Sequence, residues 1–312
     1  MKIGIPRAFL YYTYRHLWET FFTELGCEIV LSPETNKQIL KDGISYAIDE
    51  SCLSSKIYLG HVYSLIGKCD YILIPRIASF GDKEIVCSKF QAIYDVVNNT
   101  FKDRKLKILD YNIDVKNKKT EFKAFFKIGK ELKKKKIEIL RAYFMAKQAE
   151  KMYQQLDLKK QDELLENNNK LKILIVSHAY NIYDKLIGEP ILNYLQELDC
   201  IPIIGNVLPK HEARAKAKEI SPTLPWTYNK ELLGATQLYK DKVDGIILVT
   251  SFPCGPDSLV NEMIIRKIKD KPIINLVLDG QEGTAGMETR LESFIDIIRI
   301  KKDVKNENKK ES

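Results

Sequence analysis

The chain has 312 residues, 45% of them apolar and 29% charged, the proportions of an ordinary globular protein with length for about two domains. No apolar run approaches the roughly 20 residues that cross a bilayer, and six cysteines without close pairs argue against a disulfide-stapled secreted scaffold and for free or metal-binding thiols in the cytoplasm. The net charge of +8 is local: residues 102–147 hold 16 Lys or Arg against 6 Asp or Glu and the remainder is slightly acidic, so any polyanion-binding face belongs to that segment alone.

The chain opens directly into a strand over residues 2–5 and has no signal-peptide design. A helix over 11–25 follows, with Leu17, Trp18, Phe21, Phe22 and Leu25 on its apolar side; Gly26 ends it, and a strand over 28–31 completes a βαβ opening. Residues 36–48 have a helical pattern, interrupted over 49–56 around Cys52 and resumed over 57–65. A strand over 70–74 is expected to end at Pro75 and Arg76, and a loop then carries Cys87 before a helix around 90–97 and a strand over 106–109. From about 114 to 169 strand signals vanish, and the apolar spacing of Ile137, Leu140 and Phe144 predicts one or two long helices.

A second α/β run begins at residues 172–177. It continues with a helix over 186–198, a strand over 200–204, a helix over 231–239, a strand from Ile246, a helix over 258–268, a strand over 272–277 and a last helix over 286–300. The polar stretch 301–312 reads as a disordered tail. The halves echo each other: residues 2–6 parallel 172–176, Leu25 to Val30 parallel Leu198 to Ile203, and Cys69-Asp70 parallels Val243-Asp244. Two similar parallel-sheet α/β domains are therefore expected, at 1–113 and 170–300, with a basic helical segment at 114–169 between them. Ligands of such sheets bind beyond the strand carboxyl ends, where Cys254, Arg76, His178 and Asp279 should gather.

Cys254 stands where an apolar strand crosses into a helix opened by Gly255 and Pro256, facing N–H groups whose partial positive charge favours a thiolate. Cys52 and Cys87 occupy comparable loops at helix starts. Cys27, Cys69 and Cys200 sit beside strand starts and read as packing thiols. The gaps of 35 and 167 residues between Cys52, Cys87 and Cys254 match no zinc or ferredoxin spacing, so spacing alone leaves a shared site and three separate thiols both open. His178 at a strand end is open to a functional or a packing role, while His61 inside a helix reads as structural. The loop from Asp279 to Gly286 could cradle an anion. No Walker, dinucleotide, nucleophile-elbow, zincin or paired CxxC motif occurs. Residues 133–136 read as a solvated helix face or a dock for an acidic protein; the base-stacking aromatics expected of a nucleic-acid module are missing.

At Cys254-Gly255-Pro256-Asp257-Ser258 the chain resembles the 2-hydroxyacyl-CoA dehydratase superfamily, specifically the CoA-enzyme activase-related proteins. The likeness extends through Gly4 to Arg7, Trp18 to Phe22, Asp49 to Cys52, Lys56, Gly60-His61, Pro75-Arg76, Cys87 to Phe90, His178 to Asn181 and Thr289 to Phe294. The resemblance implies two flavodoxin-like or Rossmann-like domains. It further implies a [4Fe–4S] or double-cubane cluster held by Cys52, Cys87 and Cys254, in a cytoplasmic protein of an anaerobe. An ATP-dependent activase would deliver low-potential electrons for radical dehydration or reduction of an acyl-CoA or another small molecule, as a lyase-like or reductase enzyme and as an oligomer. The rival expectation is a non-catalytic scaffold that docks the activase.

Overall fold

The computed structural model describes residues 1–167, 169–280 and 284–310. In chain order the first half contains β1 (Lys2–Ile5), α1 (Tyr11–Glu24), β2 (Glu28–Leu31), α2 (Lys37–Tyr46), α3 (Leu53–Leu65), β3 (Tyr71–Gly81), β4 (Glu84–Ile85), α4 (Ser88–Thr100) and β5 (Ile108–Asp114). Two connecting helices follow, α5 (Glu121–Glu131) and α6 (Lys136–Glu166). The second half contains β6 (Leu171–Val176), α7 (Ala179–Ile182), α8 (Glu189–Glu197), β7 (Cys200–Ile204), α9 (Lys210–Ala217), α10 (Thr227–Tyr239), β8 (Gly245–Ser251), α11 (Gly255–Lys267), β9 (Ile273–Leu278) and α12 (Thr284–Lys310). Among the described residues no helix is long and apolar enough to cross a membrane.

The strands form two parallel sheets of the same order. In the first, β2, β1, β3 and β5 lie side by side, with β4 folding back antiparallel on the far end of β3. In the second the order is β7, β6, β8, β9. The internal echo has a physical basis in two shared devices. The Asp70 carboxylate accepts the backbone N–H of Lys2 at 2.7 Å, and Asp244 does the same for Lys172 at 2.9 Å, so each central strand is started by an aspartate from the strand beside it. Gly26 and Asp199 both take left-handed backbone angles, φ 69° and φ 57°, where a helix turns into the edge strand. Both fold expectations, parallel α/β sheets and their duplication, hold.

Packing on both faces explains the apolar strands. Ile3 and Ile5 of β1 and all of β8 are buried, and α1 lays Leu17, Trp18, Phe21 and Phe22 on the first sheet with almost no exposure. Each such side chain contributes roughly 1.5–3 kcal/mol of burial. The basic segment does not stand apart from this core: α5 and the first half of α6 add Phe125, Ile128, Ile139, Ala142 and Ala146 to it. The far end of α6 grips the second sheet through Gln161, whose amide bonds Ile204 N and the carbonyls of Ile204 and Val207.

Several elements depart from the sequence expectation for definable reasons. β3 does not stop at Pro75 and Arg76 but runs to Gly81: its pairing with β1 ends at Ile72, so the missing proline N–H interrupts no ladder on that side, while β5 keeps pairing through Tyr111 and Asn112. α9 gave no apolar signal because its buried side consists of Ala213 and Ala217, packed so closely on Gly234 of α10 that a side chain there would overlap the Ala213 carbonyl. Residues 133–135 form a solvent-facing turn, not a helix face: Lys133, at φ 57°, turns the chain from α5 into α6, which begins at Lys136. The expected disordered tail at 301–312 is helical through Lys310, because α12 is seeded by buried Leu291, Phe294, Ile295 and Ile298 and Lys302 continues it with an ion pair to Asp244 at 3.1 Å.

α3 is held at its working position by a close helix crossing. Gly43 of α2 and Gly60 of α3 face each other, and a Cβ on either would overlap a backbone carbonyl, of Lys56 or of Ile39. Gly60→Ala is therefore expected to lower stability by about 2 kcal/mol or more, measured by denaturant unfolding, with the loss shared by Gly43→Ala.

Candidate functional site

Three helices begin at one place between the two sheets, and each begins at a cysteine. Cys52 is the N-cap of α3, Cys87 of α4 and Cys254 of α11, where Pro256 occupies the first turn. All three line a single pocket together with Phe9, Lys89, Phe90, His178, Tyr180, Tyr228, Asn229 and Asp257. The distant sequence positions therefore converge, two from the first half and one from the second. The space among them is about 20 Å³, room for roughly one water. Among the described residues no group of three or more His, Cys, Asp or Glu side chains is arranged to hold a metal ion.

Burial pushes all three thiols up, and each site adds its own modifiers. For Cys52 the Ser55 N–H of the first turn and Lys89 oppose the rise, and Cys87 adds to it. For Cys87 the Lys89 N–H opposes burial while Asp257 reinforces it. Cys254 is raised furthest, by burial and then by the Asp257 charge, with Cys52 and Cys87 contributing. The sulfurs thus sense one another electrostatically. Free, they stay protonated at neutral pH; a bound metal would displace those protons, since a coordinating thiol is a thiolate.

Beside the thiols lies a buried polar chain. His178 Nε2 is 2.8 Å from Asp257 Oδ1, and Asn229 Nδ2 donates to the same oxygen at 2.7 Å. Burial raises the Asp257 carboxyl, yet His178, Asn229 and the Cys254 thiol together hold it below the ordinary range. Tyr180 stacks on the His178 ring with centroids 4.9 Å apart and meets Phe9 and Phe90 edge-on. His178, Tyr180 and Tyr228 also form a wall of a second cavity of about 420 Å³, which runs between α1, α6 and the loop after β7 and is lined further by Tyr12, His16, Tyr153 and Lys210.

The halves are locked together at this spot. Leu53 N–H, next to Cys52, donates to Phe252 O at 2.9 Å. Ser54 Oγ, Ser251 Oγ and Asn181 Oδ1 form a triangle with sides of 2.8 Å, in which the two hydroxyls supply one proton each and Asn181 Oδ1 accepts. A second lock lies behind α3. His61 has no exposure and bonds Ser32 at 2.7 Å and Thr35 at 2.9 Å, and Thr35 in turn donates to the buried Asp184 of the second half. Because the Thr35 proton goes to Asp184, its oxygen accepts His61 Nε2–H, leaving Nδ1 to accept from Ser32: a neutral imidazole with both nitrogens used.

Cys52, Cys87, Cys254 and His178 line one pocket; spacing leaves the meeting of the three cysteines open, and only the resemblance implies it. Arg76 does not join them; it pairs with Asp95 of α4 at 2.6 Å and lies over the Tyr94 ring, outside the thiol pocket. Asp279 is exposed and also outside it, and Gln281 to Gly283 of that loop fall outside the described residues. Cys27 and Cys200 are buried, and Cys69 and Cys200 direct their sulfurs at carbonyls of their own segments, as packing thiols do. Sequence reasoning passed over Asp257, Asn229, Lys89 and Tyr180. Asp257 stands in the Cys254 to Ser258 motif, but as an acid in a helix first turn it is also an ordinary dipole partner, and its buried partners Asn229 and His178 are distant in sequence.

Residues 2–208 match the family described as CoA enzyme activase uncharacterised domain (DUF2229). The chain belongs to this family. No curated protein matched it. The DUF2229 match contains the whole first sheet, α6, Cys52, Cys87 and His178 and ends shortly after β7, so Cys254 and Asp257 are supplied from beyond the matched residues.

The lock at His61 carries a pH dependence. Burial depresses His61 to about 3, so between about pH 6 and pH 4 the unfolded chain binds a proton there that the folded chain refuses. Stability should therefore rise with pH in that window, by up to about 1.4 kcal/mol per pH unit from this group. Denaturant unfolding at stepped pH should show a flatter slope in His61→Gln than in the parent.

Proposed function

We propose that this protein is an iron–sulfur protein that takes electrons from an ATP-dependent activase and uses them for dehydration or reduction of a small molecule. One observation carries the reading: three thiols, each on the N-cap residue of a helix, line one pocket between the two sheets. Sulfur donors suit iron, and three helix starts supply partial positive charge that offsets an anionic cluster. A cluster bound there supplies single low-potential electrons. Cys52, Cys87 and Cys254 would hold it, Lys89 would add positive charge beside Cys52 and Cys87, and Phe9, Phe90 and Tyr180 would keep water away.

The cavity of about 420 Å³ has the size of a small-molecule site, and His178, with Asp257 and Asn229 behind it, forms part of its wall on the thiol side. An acyl-CoA or another small substrate would present its reactive end at that wall, where His178, Tyr180 and Tyr228 are the groups that could carry a proton. Membership of the activase-related family supports an activase-type partner. The competing reading is a cluster-free scaffold docking the same partner, favoured by the lack of a ready metal group among the described residues and by the narrow space between the thiols.

Anaerobic reconstitution separates the two. The parent chain is expected to bind iron and acid-labile sulfide with a reducible electron-resonance signal, and Cys52→Ser, Cys87→Ser and Cys254→Ser should each lose most of it while Cys200→Ser retains it. Parent protein that takes up no iron, or iron content indifferent to all three replacements, would leave the scaffold. Turnover with activase, ATP and acyl-CoA candidates then tests catalysis.

A further inference from the structure

α6 has two opposite faces. One, with Ile139, Ala142, Ala146 and Leu165, is buried in the protein. The other carries large apolar side chains at helical spacing with nothing over them: Ile137 is 70% exposed, Phe144 67% and Met152 48%, with Met145 and Leu156 beside them. These residues recur at intervals of four, seven and eight and so form one stripe along the helix. Scattered exposed apolar residues are ordinary, whereas a continuous stripe of this kind marks a contact surface. It faces away from the 420 Å³ cavity, which α6 lines with Glu150, Tyr153, Gln154, Asp157 and Leu158.

Charge along the same helix selects the occupant. Residues 136–151 hold four Lys or Arg and two Glu, and residues 152–166 hold two Lys and four Asp or Glu. The helix is thus basic in its first half and acidic in its second. Laid antiparallel on a second copy of itself, it would set each basic half against an acidic half while the apolar stripes meet; laid parallel, it would set like on like. We propose that the exposed stripe of α6 is a two-fold homodimer contact, with the two helices antiparallel, Met152 near the two-fold axis and Arg141 opposite Glu163 of the second copy. The aliphatic stem of Lys159 would cover Met145 in this arrangement, its amine remaining in water.

Sedimentation or light scattering of the full chain under reducing conditions, across a concentration series, tests this. A concentration-dependent dimer is expected, weakened about tenfold or more by Phe144→Glu or Met152→Glu with far-UV circular dichroism unchanged, since both side chains are exposed. Arg141→Glu should weaken it too, and adding Glu163→Arg should restore association. Met152→Cys should give a crosslinked dimer on mild oxidation. A chain that stays monomeric up to about 100 μM, or a dimer indifferent to both apolar replacements, would overturn the assignment.

Discussion

The backbone hydrogen bond from Leu53 to Phe252, with the Ser54, Asn181 and Ser251 triangle around it, is the contact on which the candidate site depends. It joins the first residue of α3 to the strand end that precedes Cys254. Cys52 and Cys254 flank it at one residue and two residues respectively. Two separate sheets would each offer a cysteine at a helix start; this seam, the contact nearest to Cys52 and Cys254, sets them side by side. The side-chain bonds of the triangle are buried, so leaving one of those partners unmatched would cost on the order of 1–3 kcal/mol.

What converges at the seam is electrostatically unusual. Three helix N-termini point inward, which favours negative charge, while burial and the Asp257 carboxylate disfavour thiolates. Free thiols resolve the conflict by keeping their protons; a cationic metal would resolve it by replacing them. His178, Tyr180 and Tyr228 line both this pocket and the larger cavity, and Asp257 and Asn229 back His178 on the thiol side.

Duplication explains where the seam lies. Both sheets have the same strand order, both central strands are started by an aspartate from the adjoining strand, and both place helix starts at their carboxyl edges. The halves have nevertheless divided the work. The first supplies two cysteines and Lys89, the second one cysteine with His178, Asn229 and Asp257. α6 holds the pair at a fixed spacing by packing its first half on the first core and anchoring Gln161 at the end of β7.

Local chemistry was enough to determine the parallel strands, the helix starts at Cys52, Cys87 and Cys254, the duplication and the packing role of His61, because strand periodicity, turn residues and helix-opening prolines act within a few residues. It misjudged β3 at Pro75, since whether a missing N–H matters depends on where the neighbouring strand ends, and it missed α9, whose buried side is alanine. The meeting of the three thiols, the exclusion of Arg76 from their pocket and the partners of Asp257 were decided only by tertiary structure. Each joins side chains far apart in the chain, and no residue carries in its own neighbourhood the position of a sheet edge that another half of the molecule brings to it.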